Sequence, residues 1–129
     1  MRHQFTPAQL RMLIQRAEIQ FDLTIRQSLA LDPNGRHVAR AAHAPVHETV
    51  VSLIKLFREQ IPGAADVATQ LARMYAKGAD AHAGVPTLEC LRAILRLVRE
   101  AREHYLPASA PLPAPVAAPG LPEAEPAQR

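Results

Sequence analysis

A chain of 129 residues with 15 Lys and Arg against 12 Asp and Glu, a net charge of +3, has the size of one domain, and its cations and anions alternate instead of gathering into a basic block. One cysteine, Cys90, excludes an internal disulfide, and no stretch approaches the roughly 20 uninterrupted apolar residues of a membrane span. With an opening MRHQFTPAQL that lacks an apolar leader run, the expectation is a soluble cytoplasmic protein with no membrane partner.

Thirteen of the fifteen cations are Arg, the side chain suited to forked contacts with carboxylate or phosphate, and the richness in Arg and Ala suits a GC-rich bacterial genome. The five aromatic residues (Phe5, Phe21, Phe57, Tyr75, Tyr105) are too scattered to form a stacking platform for single strands.

Prolines punctuate the chain, because each lacks an amide donor and is tolerated in a helix mainly in its first turn. The first helix is signalled by Thr6 as N-cap, Pro7 at the first helical position and Gln9 placed to return a capping-box hydrogen bond. Leu10, Leu13, Ile14, Ala17, Phe21, Ile25 and Leu31 recur along it at helical spacing, and DPNG at 32–35 supplies the turn that ends it. Turning this helix over reveals a second seam, Met12, Arg16, Ile19, Leu23, Arg26 and Ala30, spaced 4, 3, 4, 3, 4 as in a coiled-coil contact line and lying about 180° from the first. A helix apolar on two sides is either sandwiched within its own bundle or keeps one side for another chain.

A second helix is expected from about Pro45 to Gln60, with Val46, Val50, Leu53, Ile54 and Phe57 on one stripe and IPG stopping it. His43 and His47 are four apart, the spacing at which one helical turn can offer two imidazoles to a metal. Pro45 stands between them, so the helix is expected to begin there, with His43 ahead of it and the two rings not converging. His37, His43, His47, Asp80 and His82 could still assemble a metal site from loops and helix ends, but the expectation is no metal and no cofactor. The pattern of histidine-phosphotransfer domains, an exposed histidine followed by Leu-Lys-Gly, is replaced here by AHAPV.

A third helix, AADVATQLARMYAKG, turns Val67, Leu71 and Met74 inward and is expected to end at Gly78 as a left-handed cap. The fourth, PTLECLRAILRLVREAREHYL, carries Leu88, Leu91, Ile94, Leu95, Val98, Ala101 and Tyr105 over about half its circumference. Cys90 belongs to that arc, as an inert small hydrophobe. Arg92, Arg96 and Arg99 share another face with Glu89 and Glu103. They form either a solvated strip paired to Glu100 and Glu103 or a holder for phosphate or an acidic partner. No base or orienting group marks Cys90, Ser28 or Ser52 as a nucleophile.

Over about residues 50 to 98, LIKLFREQ, ADVATQLARMY and VPTLECLRAILRLV resemble the first, second and closing helices of repressor-type helix-turn-helix domains, and that resemblance implies a DNA-binding regulator. Where such domains place the recognition helix, between Tyr75 and Pro86, this chain has AKGADAHAG, whose Gly and Ala residues offer no groups to read base edges.

The whole pattern predicts an all-α four-helix bundle over 1–106, followed over 107–129 by a disordered Pro/Ala-rich tail that holds seven of the twelve prolines. The tail reads as a spacer, with PGLP as its nearest approach to a docking motif. The functional expectation is a non-enzymatic contact protein, an adaptor, assembly subunit or regulator. Its partner is another protein chain or a second copy, its candidate binding residues are Met12, Arg16, Ile19, Leu23, Arg26, Arg92, Arg96 and Arg99, and nucleic acid is the alternative partner.

Overall fold

A computed structural model of the chain describes residues 4–80 and 85–108, the side chains of residues 79 and 80 excepted. Within it the helices are α1 (Pro7–Leu31), α2 (His43–Glu59), α3 (Ala65–Asp80) and α4 (Leu88–Tyr105), with a short 3-10 turn at Arg40–Ala42 leading into α2. Among the described residues there is no strand, only an isolated antiparallel bridge between His37 and Thr87. The expected disordered tail lies, from residue 109 onward, outside the described residues.

Local chemistry accounts for most of the boundaries. Thr6 accepts from the Gln9 amide at 3.1 Å while the Gln9 side chain accepts from the Thr6 amide at 2.9 Å, so two donors left over at the start of α1 are satisfied. Thr87 caps α4 in the same way, its hydroxyl accepting from the Cys90 amide at 3.0 Å. The turn after α2 passes through Gly63 at φ 81°, a conformation open to glycine because it has no Cβ.

Two boundaries differ from the sequence-based expectation. Helix α2 begins at His43 and not at Pro45, because the 3-10 turn before it already sets the helical direction. Pro45 thus occupies the third position, where its missing amide is still one of the unpaired four. Gly78 does not cap α3, which continues to Asp80. A Cβ at Gly78 would collide with the Cys90 Sγ and stand 2.6 Å from the Cys90 Cβ, so the glycine is there to let α3 and α4 approach.

Cross-helix pairs define the topology. The Phe5 amide reaches Gln60 at the start of α1 and Gln20 meets Thr49 further along, so α1 and α2 run antiparallel. Arg11 beside Leu106 and Glu18 beside Arg102 make α1 and α4 antiparallel as well. His47 beside Tyr75 and Tyr105 beside Gly63 set α3 against α2 and α4. The result is an up-down-up-down bundle in which α1 packs closely on α4 and more loosely on α2. Ile14, Phe21, Val46, Val50, Phe57, Leu71, Leu91, Ile94 and Val98 fill its core with no exposed surface.

The long α1–α2 connection is fastened to the other helices. Val38 donates to the Pro86 carbonyl at 3.0 Å and Leu88 to the Arg36 carbonyl at 2.8 Å, and the Ala39 amide donates to the Ser28 hydroxyl at 2.9 Å.

Replacing Gly78 with Ala forces an added methyl into Cys90 and should cost about 1–3 kcal/mol in denaturant unfolding, in spite of the better helix propensity of Ala. Combining it with Cys90→Ala should recover part of the loss, a coupling that a double-mutant cycle measures.

Candidate interaction face

Helix α1 is buried on one side only. Leu10, Ile14, Ala17, Phe21, Ile25 and Ser28 face the core, and among the described residues no other helix packs on the opposite face, where residues 106–108 border a hollow beside Met12. There Met12 is 53 % exposed, Ile19 67 % and Leu23 50 %, with Arg16, Arg26 and Ala30 exposed between and beyond them. Leu31, at the end of the helix, is 78 % exposed. Among the described residues, then, the first helix is not sandwiched.

What holds that face outward is a carboxylate. Glu18, 5 % exposed, projects from the side of α1 toward α4. The Arg102 guanidinium donates to both its oxygens, Nε to Oε2 at 2.5 Å and Nη2 to Oε1 at 3.0 Å, and Arg99 Nε lies 3.4 Å from Oε1. This forked pair fixes the rotation of α1 about its own axis, since a forked contact tolerates little angular error. A turn away, Arg11 donates to Glu103 at 3.1 Å and to the Leu106 carbonyl, and Arg102 donates to Glu103 as well. The hydrogen bond from Arg11, followed by the charges of Arg11 and Arg102, holds the Glu103 carboxyl below the usual carboxylate range. The hydrogen bond to Glu18 pushes Arg102 further up.

The arginines of α4 divide accordingly. Arg99 is drawn to Glu18 and not to Glu103, the partner expected from helical spacing, because Glu103 is taken by Arg11 and Arg102. Arg92 and Arg96 are exposed and make no ion pair among the described residues, so the expected Arg96–Glu100 pairing does not form. Arg99 borders the outer face of α1, lining a shallow hollow with Glu18, Ile19 and Asp22. Arg102, absent from the sequence-based set, is the residue that organises this corner. Its spacing from Arg99 was visible in the sequence, but its partner is 84 residues away.

On the face itself, Arg26 is paired with Asp22 at 3.1 Å, one turn back. Arg16 makes no ion pair among the described residues and lies along a groove between α1 and α2, with Leu13, Gln20, Glu48, Thr49 and Leu56. A second hollow runs beneath the far end of the seam, between Leu23, Gln27 and Leu31 on one side and Ala39, Ala42 and Pro45 on the other.

Because α2 starts at His43, the two histidines do share a helical face. Their ring centroids are 6.4 Å apart, and His47 Nδ1 sits 3.2 Å from the Tyr75 hydroxyl. Among the described residues, no group of three or more His, Cys, Asp or Glu could hold a metal ion. His82, part of the five-residue set considered from sequence, lies outside the described residues, as does the side chain of Asp80. Cys90 is half-buried and donates to the Met74 carbonyl at 3.3 Å; burial pushes its thiol up, as it does the nearby Tyr75 hydroxyl, where the Cys90 charge adds to the effect.

In the stretch between Tyr75 and Pro86, where a helix-turn-helix domain would place its recognition helix, α3 continues to Asp80, and α4 starts at Leu88. Seven residues separate them, of which 81–84 lie outside the described residues and Thr87, the last, forms the bridge to His37. No helix among the described residues is long and apolar enough to cross a membrane. Compared with protein-family models, with curated proteins and with solved structures, the chain matches none.

Removing the clamp by Glu18→Ala leaves two guanidiniums facing a site without its anion and should lower unfolding stability by about 2–3 kcal/mol. The Glu103 contacts predict an acid dependence. A carboxyl held low in the folded state contributes stability above its unfolded value and loses it as pH falls through the lowered folded value. Thermal melts between neutral pH and pH 2 should fall less steeply for Glu103→Gln than for the unaltered chain.

Proposed function

We propose that this chain is a non-enzymatic interaction module, an adaptor, assembly subunit or regulator, which works by docking the outer face of α1 against another helix. The observation that carries this reading is the exposure of Met12, Ile19 and Leu23 on one continuous line, opposite a core that is already complete without them. Single exposed apolar residues are ordinary, but three in coiled-coil register along one helix form a surface that water solvates at a cost and a partner helix relieves. Burying such a side chain against a partner is worth roughly 1.5–3 kcal/mol each. Arg16, Arg26 and Arg99 border the line and supply polar groups able to select an acidic rim on the partner. Arg92 and Arg96, free of ion pairs among the described residues, extend the cationic surface along α4.

The reading separates stability from association. Ile19→Asp and Leu23→Asp alter groups that the fold does not use, so the melting curve of the isolated chain should move by no more than about 0.5 kcal/mol. The same double variant should lose its partners when affinity capture from the source cells, with mass spectrometry, is compared with the unaltered chain. Equal recovery of partners by both chains would remove the outer face of α1 from the function.

A further inference from the structure

We infer that the occupant of the α1 face is a second copy of this chain, packed antiparallel about a two-fold axis that passes beside residue 21. This rests on the contact reading above and names its partner.

Met12, Arg16, Ile19, Leu23, Arg26 and Ala30 read apolar, Arg, apolar, apolar, Arg, apolar, the same in both directions. A two-fold axis perpendicular to the helix places one surface patch against itself in reverse, so only a patch that complements its own reversal can form such an interface. Reversal about residue 21 sets Ile19 against Leu23 of the other copy twice, at the centre, and Met12 against Ala30 twice, a long side chain opposite a short one. Four of the six layers are then apolar on apolar.

Charge selects this orientation over the parallel one. Arg26 is already neutralised by Asp22 at 3.1 Å, whereas Arg16 has no ion-pair partner among the described residues. Antiparallel packing brings each Arg16 opposite the Asp22–Arg26 pair of the other copy. Parallel packing in register would set Arg16 on Arg16, with neither charge compensated, and a misplaced charge at a contact position is what decides orientation in paired helices.

Size sets the strength. From Met12 to Ala30 the seam is about 27 Å long, and one helix laid on it buries on the order of 500 Å² per copy, below the ~800 Å² of a stable interface. The dimer is therefore small and reversible, formed only at high protein concentration.

Sedimentation of the full chain across about 1 µM to 1 mM tests this. The mass should rise from 14.1 kDa toward that of two chains, and Ile19→Asp should raise the midpoint concentration at least tenfold. Orientation is read by disulfide trapping in a Cys90→Ala background whose fold is checked by circular dichroism. An Ile19→Cys chain mixed with a Leu23→Cys chain should cross-link, as should Met12→Cys with Ala30→Cys, while Met12→Cys alone should not. A monomer throughout the range overturns the self-pairing, and efficient Met12–Met12 cross-links overturn the antiparallel arrangement. Either result leaves the broader contact reading to the capture experiment, so the two ideas fail separately.

Discussion

The rotational setting of α1 depends on one buried carboxylate. An apolar stripe alone locates a helix loosely, because Leu, Ile and Ala side chains interdigitate at several neighbouring angles. Glu18 removes that freedom. Held by a forked guanidinium from α4, with a second arginine alongside, it can be satisfied at one angle and one axial position. The line through Met12, Ile19 and Leu23 is thereby directed into solvent, and Asp22 and Arg26 are placed beside it. A clamp that stabilises the core also decides what the molecule shows to others.

The helices and their inner faces were legible because they are written in local chemistry. Thr6, Pro7 and Gln9 announce the start of α1 within four residues, and the 3.6-residue period of Val46, Val50, Leu53 and Phe57 declares which side of α2 is buried. Two boundaries could not be read, one because of a neighbour distant in sequence and one because of the turn just ahead of it. Gly78 looks like a terminator until Cys90 is brought against it, and a backbone that must pass close to another helix needs glycine for a reason unrelated to helix ends. Pro45 looks like a first residue until a 3-10 turn is placed ahead of it. At Gly78 a correct local rule was outranked by packing, and at Pro45 by the turn that directly precedes it.

The same distinction explains the fate of the charged residues. Spacing along α4 brings Arg99 within reach of Glu103, and an isolated helix would use that pair. In the bundle, Arg11 approaches from α1 and takes Glu103, while Glu18 draws Arg99 and Arg102 across. Glu18, nearly buried and poorly solvated, gains more from a cation than an exposed carboxylate does and so draws Arg99 away, while the exposed Glu103 keeps Arg102 of its own helix and adds Arg11. The line of the α1 seam was readable from helical spacing, but whether it was sandwiched or exposed was not, since that depends on where the other helices pack.

The strap between α1 and α2 carries a consequence of its own. Residues 36–38 are bonded to 86–88, and Ser28 holds the strap from beneath, so the polypeptide crosses this end of the bundle as a staple and not as a free loop. A protease cutting at the exposed Asn34 would sever the covalent path between the first helix and the rest, yet would leave standing the hydrogen bonds on both sides of the cut. The fragments should stay together as a nicked but intact particle, the behaviour of a chain whose cohesion at this end is shared between covalent and non-covalent ties.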